Sequence, residues 1–535
     1  MNKTVLEGLS APAKEYINGL ESKVDQMQNQ IDRLTELLLK MNKDKFGSSS
    51  EKARYVLSDE YLQESMFNEA EAYSDDDAPE AVIVEQHTRK AKRTKEELAK
   101  ELPVKETIID IPESERICNI CESDDLYKIG KELIRRELCI IPAQAYVEKI
   151  YSVTYGCNPC ANETEQSNIM KAEVPVPVIK RGLASPSSAA HVMYQKYVNA
   201  MPLYRQEKDW KTFGVEISRA TLANWIIYTS DYWLLPMWKS LKAVLLTSPV
   251  ILADETVTQV LKEPGKTPQS ESRMWVYCTG NVARPPPIVL FEYQPSRRGD
   301  HPREFLRGIE KPFKLLTDGY AGYNAVENAV HAGCWSHLRR KFEEAMPKNA
   351  PKDNKARIGF EYCQKLFMLE RKFETMSPDE RLKNRIEQSK PVYTEFYKWL
   401  GTVNSLAGSS LAKAVTYAVN QKEPLSEFLF DGCIEISTNR IENHIRPFTT
   451  GRKNWLFADT VKGAMASAVA YSIISTATSN GLNPYQYLKH LFTYLPTILT
   501  KEPDADLSPF FPWMEDVQEK CKFAQGAKGQ LSLLG

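Results

Sequence analysis

Apolar residues recur along the first fifty positions at alternating spacings of three and four. Ile17, Leu20, Val24, Met27, Ile31, Leu34, Leu38 and Met41 form this stripe, and heptads with apolar a and d positions predict a coiled coil over residues 1–48. An amphipathic helix packed on its own domain is the alternative. The narrowness of the stripe and its terminal position favour self-association. Phe46-Gly-Ser-Ser-Ser-Glu-Lys52 closes the helix. Periodicity then disappears, and residues 49–112 read as a charged linker.

Further on, the pattern alternates between helix and strand. Ala190–Val198, Pro202–Gly214 and Ile217–Ile226 have helical character, and residues 172–240 form a helical domain. A helix, a turn at Gly214 and a helix capped by Ser218 resemble a helix-turn-helix, with Arg219, Thr221 and Asn224 outward and able to face DNA. Two core helices of an all-α linker domain fit the pattern almost as well. Val250–Ala253, Met274–Thr279 and Ile288–Tyr293 read as three strands of a meander. A short helix over Arg303–Ile309, a fourth strand over Phe313–Thr317 and a helical segment over Ala325–Ala329 follow. Strands in this order are those of a ribonuclease-H-like core, in which the first and fourth lie side by side. Lys355–Phe373, Asp379–Gly401 and Leu411–Asn420 read as an α-helical insertion over about 346–432 of a catalytic domain spanning 245–490. Ala464–Ile474 is a small-residue helix suited to close packing. In the C-terminal element, 491–535, residues 500–535 are Pro-rich and acidic, then polar, and predict loose order. The fold class is therefore multidomain α+β.

Composition changes this picture little. Hydrophobic content of 42%, charged content of 26% and a net charge of −1 are those of an ordinary soluble protein. No apolar run reaches membrane-spanning length and the N-terminus lacks a signal-peptide core, which predicts a cytoplasmic protein. Charge is segregated, however. An acidic stretch between Tyr55 and Thr88 precedes the basic Arg89-Lys-Ala-Lys-Arg-Thr-Lys95.

Two constellations carry candidate chemistry. Cys118-Asn-Ile-Cys121 and Cys157-Asn-Pro-Cys160 are paired knuckles within a module at 113–163. Four thiolates so arranged can complete a tetrahedral structural zinc site. A redox pair or a disulfide is the alternative. The strand-like Glu148–Tyr155 lies between the pairs. Separately, Asp254 and Asp318 each end an apolar run, and Glu442 sits in a polar helical segment. Three such carboxylates suit two hard divalent cations of the kind that promote phosphoryl transfer. Turn and cap roles are the ordinary alternative for each.

Several motifs occur in order: Ala253-Asp254-Glu-Thr, Tyr293-Gln-Pro-Ser-Arg297, Thr317-Asp318-Gly-Tyr-Ala-Gly-Tyr323 and Cys334-Trp-Ser-His-Leu-Arg-Arg-Lys-Phe342. Arg446-Pro, Gly451-Arg-Lys-Asn-Trp-Leu-Phe457, Asn480-Gly-Leu-Asn-Pro-Tyr485 and Ser508-Pro-Phe-Phe-Pro-Trp513 follow. Together they resemble the DDE transposases of insertion-sequence family sixty-six over nearly the whole chain. The resemblance implies a metal-dependent polynucleotidyl transferase and nuclease that binds terminal inverted repeats and cuts and joins DNA. Asp254, Asp318 and Glu442 would hold two Mg2+ (or Mn2+) ions, beside the structural Zn2+. It further implies that His337, Arg339, Arg340, Arg446, Arg452 and Lys453 contact phosphates, that Trp455 stacks on a base, and that the protein works at the bacterial nucleoid with accessory transposition proteins. One departure stands out: Ser437-Thr-Asn439 replaces the Asp-Asn-Asn that the family usually carries before the glutamate. A repurposed, non-catalytic DNA-binding relative is the alternative function.

Overall fold

The computed structural model describes residues 145–156, 169–282, 284–347 and 349–523, with isolated helical, exposed positions at Lys23, Met27 and Gln30. The rest of the heptad stripe, the charged linker and the four knuckle cysteines lie outside the described residues.

The described chain begins with a short antiparallel ribbon, β1 (Thr154–Gly156) and β2 (Ile169–Lys171), in which Thr154 pairs with Lys171. The strand expected over Glu148–Tyr155 is thus confined to its last residues. Tyr146, Val147, Ile150 and Tyr151 are exposed, and among the described residues no strand pairs with them.

The helical region follows. The Ser185 and Ser188 side chains form a capping box that starts α1 (Pro186–Tyr197). α2 (Leu203–Thr212) turns through Gly214, whose φ of 78° suits glycine. Ser218 caps α3 (Arg219–Thr229) by accepting from the Thr221 amide. A π-helical turn at Ser230–Leu234 carries α3 into α4 (Leu235–Leu245).

The core is a mixed sheet in the order β5-β4-β3-β6-β7. β3 (Val250–Lys262), β4 (Glu271–Thr279) and β5 (Val289–Gln294) form the antiparallel meander expected from the sequence. β3 is far longer than Val250–Ala253, because β4 pairs with it as far as Gln259. Asp254 therefore lies within the strand, where the sequence placed it at the end. The short helix falls earlier than expected, as α5 (Asp300–Phe305). β6 (Phe313–Thr317) runs parallel to β3, as expected. The segment read as helical over Ala325–Ala329 is instead a 3-10 turn at Ala321–Ala325 leading into β7 (Ala329–Gly333), parallel to β6. Pairing with β6 overrides the helical propensity of its alanines.

α6 (Trp335–Ala345) leaves β7 directly and buries Trp335, Leu338 and Phe342. The helical insertion then comprises α7 (Lys355–Lys372), α8 (Pro378–Asn384), α9 (Lys390–Leu400) and α10 (Ser410–Asn420). A π-helical turn at Arg385–Ser389 interrupts what the sequence suggested was one helix over Asp379–Gly401. That turn delivers Arg385 into the interior. Its guanidinium, with 0% side-chain exposure, pairs with Glu370 at 2.6 Å and donates to the carbonyls of Phe428, Asp431 and Ile434.

The chain returns to the sheet as α11 (Asn439–Trp455), and β8 (Ala458–Thr460) extends alongside the far end of β3. α12 (Val461–Ser479) buries Ala464, Ala466, Ala468, Ala470 and Ala477 against the core. Its small residues let it approach the edge strand β5. There the Ser472 hydroxyl accepts from the Phe291 amide, and the Thr476 hydroxyl both accepts from the Val289 amide and donates to the Val289 carbonyl. A sheet edge that would otherwise offer unpaired amides is thereby satisfied. α13 (Pro484–Lys501) follows. Beyond it, residues 502–523 are not loose. They include α14 (Glu515–Lys520), they bury Leu507, Phe511, Val517 and Cys521, and the Phe510 carbonyl accepts from the Tyr487 hydroxyl. Apolar side chains spaced between the prolines and acids account for this packing.

Candidate active site

β3 and β6 bring the first two carboxylates together. Their last paired residues are Leu252 and Leu316, so the register continued by two sets Asp254 level with Asp318, just past the end of β6. Burial pushes the Asp254 carboxyl up to about 7, and the neighbouring charges of Glu255 and Asp318 add to the shift. One Asp254 oxygen accepts from the Glu255 amide at 2.8 Å. Asp318 accepts from the Tyr320 amide at 2.8 Å, an Asx turn that fixes its side chain.

A network missed from the sequence surrounds this pair. Arg297 donates to Glu255 at 2.5 Å, lies 3.9 Å from Asp318 and rests 4.0 Å from the centre of the Tyr320 ring. The Tyr323 hydroxyl donates to the second Glu255 oxygen at 2.7 Å. From the insertion, the Tyr417 hydroxyl donates to the Asp318 carbonyl at 2.8 Å. The signal was present in motifs around Arg297 and Tyr323, but their partners are distant in sequence.

Glu442 lies in the first turn of α11, as a helical carboxylate should. Its carboxylate is directed at α6: one oxygen is 3.3 Å from Arg340 and the other 3.8 Å from His337. Burial alone would lower the His337 pKa, but Cys334 and Glu442 outweigh it and raise it. The charge of His337 also acts on Asp254, in the direction that lowers its pKa. Thr438 donates both its amide and its hydroxyl to the Cys334 sulfur at 3.2 Å, joining the start of α11 to the start of α6. The departure at Ser437-Thr438 is thus a buried junction. Among the described residues, no three His, Cys, Asp or Glu side chains converge closely enough to hold a metal ion. Asp254 and Asp318 fit a hard cation as adjacent carboxylate oxygen donors, while Glu442 is turned toward Arg340 and His337.

The expected DNA contacts divide into two sets. Arg219 and Asn224 are exposed on α3, and Arg340, Arg446 and Lys453 are exposed on α6 and α11. Arg339 instead donates to Gln364 and lies over Phe367 of α7. Arg452 is half-buried and donates to Thr256 of β3 at 3.3 Å. Trp455 carries Lys196 3.9 Å above its ring, so that face is occupied. Burial lowers the Lys196 pKa to about 8.

Comparison with known proteins gives this arrangement a family. Residues 181–466 match the family described as transposase IS66, and residues 472–513 match the IS66 C-terminal element. Residues 115–161 match the zinc-finger binding domain of transposase IS66, a span enclosing all four knuckle cysteines. Residues 33–107 match a segment described as transposase C of IS166 homeodomain. The chain is similar to uncharacterized protein y4jD of Sinorhizobium fredii (strain NBRC 101917 / NGR234), 30% identical over 409 residues, covering 73% of this chain and 76% of that protein. It is similar also to uncharacterized protein y4qI of the same strain, 26% identical over 524 residues, covering 95% and 93%. Among the described residues no helix is long and apolar enough to cross a membrane. The chain belongs to the transposase IS66 family.

Proposed function

We propose that this transposase binds the terminal inverted repeats of its element and cuts and joins DNA strands through Asp254, Asp318 and Glu442. The observation that carries the reading is the Asp254–Asp318 pair, brought level by the parallel strands β3 and β6, with the Asp254 pKa raised by burial and like charge. The sheet order, antiparallel from β5 to β3 and parallel from β3 to β7, supports a ribonuclease-H-like core. Bound Mg2+ or Mn2+ would supply Lewis acidity toward a phosphodiester and lower the pKa of an attacking water. Asp254 and Asp318 would hold such ions, and Glu442 would join them by leaving Arg340 and His337. Freed of Glu442, Arg340 and His337 become available to a DNA phosphate. Arg446 and Lys453 extend that cationic track along α11, and Arg219 and Asn224 offer a separate contact on α3. Arg339, Arg452 and Trp455 act through packing. Cys118, Cys121, Cys157 and Cys160 would bind one structural Zn2+. The N-terminal heptads would pair two copies, with accessory transposition proteins completing the assembly at the bacterial nucleoid.

A second reading, DNA binding without catalysis, is favoured by the ion pair that holds Glu442 away from the aspartates. Manganese electron paramagnetic resonance on the DNA-bound full chain separates the two. The active reading expects two bound ions, reduced in Asp254→Asn and in Glu442→Gln. DNA binding with no manganese bound supports the inactive reading.

A further inference from the structure

We propose that Leu456 and Phe457 form an apolar wedge that enters the base stack of bound duplex DNA, about six base steps from the phosphate at the carboxylates. This rests on the strand-cutting reading and adds a DNA-deforming surface to it. The backbone supplies the first observation. The Phe457 amide donates to the Trp455 carbonyl at 2.8 Å, closing a three-residue γ-turn on Leu456 with φ 67° and ψ −50°. Leucine is strained in that conformation, which glycine adopts freely. The turn leaves Leu456 63% and Phe457 42% exposed, whereas Phe448 on the same helix is buried.

Charge supplies the second. From Asn443 to Trp455 the chain has no acidic residue and exposes Arg446 and Lys453. The next acid, Asp459, pairs with Lys262 at 2.8 Å. An apolar tip on a cationic helix complements a polyanion with an apolar stacked interior.

Distance supplies the third. α11 and β3 both lead from the carboxylates to this tip, since Arg452 meets Thr256 and Ala458 pairs with Val260. The helix from Glu442 to Leu456 spans about 21 Å. The strand from Asp254 to Val260 spans about 20 Å. Each length corresponds to about six base steps at roughly 3.4 Å. Apolar side chains inserted between base steps partly unstack and kink a duplex.

The test uses the full chain with Ca2+ in place of Mg2+, and duplexes carrying the element's end with 2-aminopurine at successive positions. Wild type should raise the fluorescence about threefold, centred about six base pairs from the cut. The double variant Leu456→Gly/Phe457→Ser suits the positive φ and should fold normally. It should still shift the end in a gel while losing the fluorescence rise. In Mg2+ its strand transfer should fall about tenfold and recover on duplexes with a mismatch at that position. Wild type that binds and cuts the end without a fluorescence rise overturns the wedge alone. So does a double variant that keeps the rise but dissociates from dimer to monomer, which would make the tip a contact between copies. Wild type that neither binds nor cuts the end overturns the wedge together with the reading beneath it.

Discussion

The Tyr417 hydroxyl on α10 donates a 2.8 Å hydrogen bond to the main-chain carbonyl of Asp318. The helical insertion therefore braces the candidate site through its backbone. Tyr417→Phe removes this bond at almost constant volume. Stability should fall by about 1 kcal/mol in urea unfolding. Strand transfer should fall by about tenfold, since small misplacements of reacting groups are costly. Unchanged strand transfer would mean that the insertion does not position Asp318.

Gly299 is a second point of contact. A Cβ there would fall 2.4 Å from the Gly322 carbonyl oxygen. Gly299→Ala must push the Arg297 loop away from the turn after Asp318. DNA-end binding should be retained while strand transfer drops by about two orders of magnitude. Gel-shift and product assays on the same preparation separate the two effects, and a parallel loss of both would argue for general misfolding.

Much of the fold could be read along the chain, because its signals are local. The strand at Phe313–Thr317 is a compact apolar run, and the alanine spacing of α12 announces close packing. β7 was missed because Ala329–Gly333 is short and takes its identity from β6 beside it. The length of β3 was missed because polar residues from Glu255 to Gln259 break the apolar run while β4 continues to pair with them. The aspartate pair was legible, since strand order alone juxtaposes Asp254 and Asp318. The orientation of Glu442 was not, since it depends on Arg340 and His337 far earlier in the sequence. The same holds for Arg297, whose partners are Glu255 in β3 and Asp318 just past the end of β6.

Arg385 offers a test of the insertion itself. Glu370→Gln would leave its guanidinium buried without a counter-charge. Breaking one side of a buried pair should cost about 3–5 kcal/mol. Urea unfolding should show this, with far-UV circular dichroism confirming that the variant still folds. A change no larger than that of an exposed pair would mean that the three carbonyls alone hold Arg385.

Stability should also depend on pH through Glu292 of β5. Burial pushes its carboxyl up to about 7, although Gln294 and Lys242 act in the other direction. The folded chain then binds this proton more tightly than the unfolded chain, whose glutamate has its ordinary value of 4.5. The stabilising contribution is complete below that value and is lost as pH rises through about 7. Glu292→Gln should remove this part of the slope. Its urea midpoint should exceed that of wild type progressively between pH 5 and 8. Parallel profiles for the two proteins would contradict the assignment.

The most direct measurement is divalent-metal-dependent cleavage and strand transfer on DNA carrying the element's own ends. Wild type is compared with Asp254→Asn, Asp318→Asn and Glu442→Gln, with the accessory proteins present. The account predicts joined products in wild type and none in any of the three variants, with end binding retained in all. Products that persist in Glu442→Gln would remove that residue from the site. End binding without products in wild type, in both Mg2+ and Mn2+, would contradict catalysis by this chain.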